Sequence, residues 1–191
     1  MPHEAVIFAD PEVWTLVPES IDEAGAWLDQ QLAKVPANLR EQTAKAAVLA
    51  LGHRVDTDVS VALFLSLPAD HLLGMLGIVV MDDVPAPSSA ADAGDIAHAL
   101  LPSPWPPAVI AVTVGSARGW RATVLDPENA SGDGVVSVPQ TVSTVYVLDV
   151  GGRCVVAAMS PLAPLAAASA QMLAERALAT LDVVEVGADG R

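Results

Sequence analysis

The segment Thr141–Ser160, TVSTVYVLDVGGRCVVAAMS, decides the fold. Two apolar runs rich in strand formers, Thr141 to Val150 and Arg153 to Ser160, meet across Gly151-Gly152. A pair of glycines accepts positive φ at both positions of a two-residue turn, the backbone form that matches the twist of paired strands. The spacing predicts an antiparallel hairpin. Upstream, Ala108 to Val114 and Gly119 to Asp126 predict a second hairpin through Gly115-Ser116-Ala117-Arg118. Val59 to Leu67 and Leu73 to Met81 predict another, with Pro68-Ala69-Asp70-His71 as its turn. Three hairpins imply an antiparallel sheet rather than a series of βαβ units.

Helical patterns fall before, between and after these strands. Ser20 and Glu23 have capping-box spacing, and Ile21, Ala24, Leu28, Leu32 and Val35 follow at helical intervals until Pro36 stops them. Asn38 and Glu41 repeat the pattern before an Ala-rich helix expected to end at Leu51, with Gly52 as its cap. A short helix is expected over Asp92 to Leu101, and a last one over Leu165 to Leu181, with Leu165, Met172, Leu173 and Leu181 among its apolar members. Ala5 to Ala9, Val13 to Val17 and Val183 to Val186 read as short extended pieces, and Pro127 to Gly134 as a polar loop. The fold class expected is therefore α+β, a mostly antiparallel meandering sheet with flanking helices, in one domain over residues 1–191.

The chain carries 23 acids against 9 Lys and Arg, a formal charge of −14. That field repels a phosphate backbone and an anionic membrane surface, so no nucleic acid and no membrane is expected among its partners. The uncharged run Cys154 to Ala174 is long enough to span a bilayer, but Pro161 and Pro164 divide it into a strand and a helix start. The acidic opening does not have the form of a secretory leader, which makes the cytoplasm the expected compartment. Cys154 is the only cysteine, so no internal disulfide can form.

No phosphate-cradling glycine loop or nucleophile elbow occurs in the sequence, and His3, His53, His71 and His98 are scattered singly. Neither a cofactor nor a metal is expected, and no catalytic residue is assigned. Asp56-Thr57-Asp58 and Asp82-Asp83 are the acid pairs capable of holding a hard cation, and a structural role is favoured for both. Cys154, on a strand beside Val155 and Val156, reads as a buried structural thiol. Trp14, Trp27 and Trp120 read as core anchors. Trp105 stands apart, framed by Ser103-Pro104 and Pro106-Pro107 in a stiff extended loop that can present it to a partner or fold its ring back over the sheet edge. Arg118 and Arg121, two of few bases, lie close in sequence near a turn and could meet an acidic partner or merely neutralise nearby carboxylates.

Several features together resemble the Mog1/PsbP-like family: Phe8, Trp14 and Val17-Pro18 before a helix, the strand Gly119-Trp120-Arg121-Ala122, the Gly151-Gly152 hairpin, and Ser160-Pro161 before a C-terminal helix. The resemblance spans nearly the whole chain and implies an antiparallel sheet flanked by helices, in an adaptor or assembly protein without catalytic residues. This chain departs from secreted members in lacking a lipid-attachment cysteine near its start, and in its longer segments around Lys45 and Trp105. The functional expectation is a non-enzymatic protein-binding, adaptor or assembly module with Trp105, Arg118 and Arg121 as candidate contact residues. Alternatives are a small-molecule binder or enzyme using Asp82, Asp83, His71 or His98, or a structural homo-oligomer.

Overall fold

In the computed structural model, which describes residues 3–57, 59–101, 103, 105–126, 129–130, 137–138 and 140–185, the Gly151-Gly152 hairpin forms the middle of the sheet. Strands β9 (Thr141–Val150) and β10 (Arg153–Leu162) pair across these two glycines, whose φ values are +61° and +85°. Both therefore adopt the left-handed backbone that the turn demands. The other two hairpins flank this one. On one side are β3 (Val61–Leu67) and β4 (Leu72–Pro85), and on the other β5 (Ala108–Val114) and β6 (Ala117–Asp126). With β2 (Trp14–Leu16) they make a seven-stranded antiparallel sheet ordered β2-β3-β4-β10-β9-β6-β5. Two sequential meanders thus join at a non-sequential seam, β4 against β10. The fold is α+β.

Alternation along the central strands splits the core into two faces. Tyr146, Leu148 and Val150 of β9, with Val155, Ala157 and Met159 of β10, point to one side. There helix α4 (Pro164–Leu178) covers them, beside a two-stranded ladder of β1 (His3–Val6) and β11 (Asp182–Glu185). Val145, Val147, Cys154 and Val156 point to the other side, beneath α3 (Ala90–Leu100). On that same side α1 (Ile21–Ala33) and α2 (Arg40–Asp56) cover Ala62, Phe64 and Met75. Backbone groups of Asn129–Ala130 (β7) and Ser137–Val138 (β8) form one more short ladder, while the rest of the polar loop expected over Pro127 to Gly134 lies outside the described residues.

The helices depart from the sequence pattern in instructive ways. Ser20 caps α1 as expected, its hydroxyl accepting from the Asp22 amide at 3.2 Å. The buried positions of α1, however, are Trp27 and Gln31, while Ile21 is 69% exposed. Trp27 packs edge-on against Phe64 with ring centroids 5.6 Å apart, so one large ring sets which face turns inward. Helix α4 buries Ala167, Ala170, Ala174 and Ala177 with Leu178, and leaves Leu165 and Met172 outside. Small residues bring its axis close to the sheet, and the bulky ones sit on its far side.

Helix α2 does not end at Gly52. It begins after a single 3₁₀ turn, Ala37–Leu39, without a side-chain cap, and runs to Asp56. Arg54 explains the extra turn: its guanidinium donates to Glu19 at 2.6 Å and also to the Val59 carbonyl, tying the helix end to the next strand. Among the described residues no helix is long and apolar enough to cross a membrane.

Candidate interaction surface

The sheet has two edges of unequal kind. One is β2, three residues long, and shortness is itself a protection against unwanted pairing. The other is β5, seven residues of sequence AVIAVTV without a charge or an internal proline. Among the described residues nothing pairs with its outer side. Ala108, Ile110, Ala111 and Thr113 are exposed, and Val109 and Val112 half-buried.

The turn fixes which backbone groups of β5 face outward. Val114 pairs with Ala117 across Gly115-Ser116, so Val114, Val112 and Ile110 direct their N–H and C=O groups toward β6. Val109, Ala111 and Thr113 direct theirs away from the sheet. Gly115 has φ +59°, and a Cβ there would lie 2.1 Å from the Ala179 carbonyl oxygen at the end of α4. Glycine is therefore required both by the turn and by the helix packed against it.

The Trp105 loop leads into this strand and is fastened to the sheet. Ser103 donates to Asp126 at 2.7 Å and accepts from the Trp105 amide at 3.3 Å. The indole beyond is 54% exposed, so the structure holds Trp105 outward beside the start of β5.

The two arginines are not brought together. They are three residues apart on β6, which places them on opposite faces. Arg118 is exposed on the α3 face. Arg121 lies on the α4 face and donates to Glu175 at 2.6 Å. Around that pair is a polar group that sequence reading did not foresee. The Tyr146 hydroxyl lies 3.4 Å from both the Glu175 carboxylate and the Gln171 carbonyl, and Gln171 donates to Thr144 at 2.9 Å. Burial first, and then the Glu175 charge, push the Tyr146 phenol well above its ordinary value. Its signals in the sequence were slight: Tyr146 is the only tyrosine, and Glu175 the only acid within α4. Only the β6–β9 register, which sets Arg121 opposite Tyr146, joins them.

The remaining candidates disperse. Asp82 lies within β4 rather than after it, and pairs with His3 at 2.6 Å and Arg153 at 3.6 Å. Partial desolvation pushes its carboxyl up, but the His3 hydrogen bond and charge, with Arg153, outweigh this and hold it below the ordinary range. Asp83 is exposed, His71 sits in a left-handed turn position at φ +56°, and His98 is exposed in the last turn of α3. Asp56 ends α2, and its companion Asp58 lies outside the described residues. Among the described residues no three His, Cys, Asp or Glu side chains gather closely enough to share a metal ion. Two shallow concavities of about 360 Å³ each lie around Arg54 with Glu19 and around Trp14 with Pro11.

Cys154 is fully buried beneath α3, and burial with the nearby Asp149 charge raises its thiol pKa. A thiol so placed should react with a maleimide about a hundredfold or more slowly in the native protein than in denaturant, since labelling must await opening of the core. Equal rates in the two states would show that α3 does not cover it.

No family model, no curated protein and no solved structure matches this chain.

Proposed function

We propose that this chain is a protein-binding module of the adaptor or assembly kind, which docks an extended strand of its partner on the β5 edge beside Trp105. The observation that supports this reading is the edge itself: seven uncharged residues with outward backbone donors and acceptors at Val109, Ala111 and Thr113. Edges of this length are ordinarily shortened, charged, bulged or covered, because they template pairing with other chains. Strand addition at such an edge draws its affinity from main-chain hydrogen bonds and its specificity from alternate side chains. Trp105 adds a rigid aromatic contact at one end, the residue type most enriched among binding hot spots. Arg118 on one face and the Arg121–Glu175 pair on the other give the flanks their polar character.

A random decapeptide display library tests the reading. Selection on the wild-type protein should enrich sequences with apolar residues at alternate positions, and these should fail to bind an Ala111→Pro variant. Absence of enrichment, or peptides that bind the variant equally, would contradict it.

A further inference from the structure

We propose that the strand docked on β5 is β5 of a second copy of this chain, paired antiparallel about a two-fold axis at Ala111. The inference rests on the strand-docking reading and names its occupant. Three observations carry it.

The first is register. Only Val109, Ala111 and Thr113 direct backbone groups outward, and a dyad at Ala111 matches each to an outward residue of the copy. Ala111 meets Ala111 and Val109 meets Thr113, which allows up to about six inter-strand hydrogen bonds. On the α4 face the same register sets Ile110, 48% exposed, against Val112 of the second copy.

The second is charge. Two molecules each carrying −14 repel wherever their acids meet. From Ile96 to Leu125 the chain has no Asp or Glu, and this acid-free stretch contains the Trp105 loop, β5, and β6 up to its last residue. The pairing-competent edge strand thus brings no acid of its own, nor one from its hairpin partner before Asp126, against an equally acidic copy, and the nearest acids on its α3 face are Asp92 and Asp95.

The third is closure. Joining two copies at β5 makes one continuous sheet whose only remaining edges, among the described residues, are the two three-residue β2 strands. An isologous contact of this kind consumes the long edge completely and ends at the dimer.

Cysteine placement tests the register. Cα atoms of directly opposed residues in an antiparallel pair lie about 4.5–5.5 Å apart, within disulfide reach. On mild oxidation Ala111→Cys should therefore form a covalent dimer, whereas Thr113→Cys alone should not. A mixture of Val109→Cys and Thr113→Cys should give the mixed dimer. Sedimentation of the wild-type protein should show a dimer that tightens as salt is raised from about 0.05 to 0.5 M, because screening relieves the net repulsion. Ala111→Glu, which puts two carboxylates on the axis, should be monomeric with its fold intact by circular dichroism. A wild-type monomer at about 0.5 mM, or equal crosslinking at positions 111 and 113, would overturn the proposal. Peptide selection on β5 that still succeeds would then leave strand docking standing with a different occupant, whereas failure of both would remove the two together.

Discussion

Gly119→Ala should destabilise the protein by about 3 kcal/mol, the upper range for forcing extra volume into a packed interior. A Cβ at this position would lie 2.2 Å from the Val147 carbonyl oxygen and 2.8 Å from the Leu148 Cα. Both are backbone atoms of the neighbouring strand, so no side-chain rotation relieves the overlap. Either β6 separates from β9, breaking the link between the β5–β6 hairpin and the central one, or the sheet shifts as a whole. Gly52→Ala provides a control of opposite sign. Gly52 lies inside α2, where an added methyl would meet nothing within 4 Å, and there alanine should stabilise by about 1 kcal/mol through helix propensity. Urea midpoints measured at unchanged m-value give both numbers. A midpoint for Gly119→Ala at or above that of the wild type would mean that β6 does not approach β9 this closely.

Tyr146→Ala should cost about 4 kcal/mol, and Tyr146→Phe about 1 kcal/mol or less. The ring is fully buried in the cluster beneath α4, whereas the hydroxyl contacts are long, 3.4 Å to each of its two acceptors. Packing therefore outweighs hydrogen bonding at this site. The hydroxyl instead shows itself in alkali. Because the folded-state pKa is raised above the unfolded value near 10, the neutral phenol's contribution is complete below that pH and is lost as pH rises past it. Cys154, also raised, adds a loss of the same sign beginning nearer its ordinary value of 9.0. The stability of Tyr146→Phe should thus decline less steeply than that of wild type above about pH 10. Parallel curves would place the phenol in contact with water.

Strand positions were more legible in the sequence than helix faces, and the reason is physical. A two-residue glycine turn between apolar runs leaves few alternatives, so Gly151-Gly152 located both flanking strands correctly. Order within the sheet was less accessible. Nothing local to β4 or β10 says that they pair, because that contact depends on both surfaces of the Gly151-Gly152 hairpin being apolar enough to lie between the other two. On the helices, bulk is a poor guide to burial. In α4 the alanines face the sheet, since only small residues let a helix backbone approach it closely, and Leu165 and Met172 are left outside. In α2, Arg54 extends the helix beyond a glycine that reads as a terminator.

The candidate surface was partly legible. The prolines around Trp105 left open whether its ring is presented or folded back over the sheet edge, and the structure has it exposed on a loop fixed by Ser103 and Asp126. Arg118 and Arg121 lie close in sequence, but the alternation of a strand puts them on opposite faces, and Arg121 pairs with a carboxylate, that of Glu175. The most telling feature, the uncapped edge of β5, has no signature of its own. The sequence of β5 reads like that of any apolar strand, and only its place at the end of the sheet distinguishes it.

Amide hydrogen exchange along β5, followed by NMR across a concentration series, tests the central claim most directly. In dilute solution Val109, Ala111 and Thr113 should exchange rapidly while Ile110, Val112 and Val114 are protected by β6, and the first three should gain protection as concentration rises. Protection of Val109, Ala111 and Thr113 already present at the lowest concentration would contradict an open strand edge, and protection that never appears would contradict its pairing with a second copy.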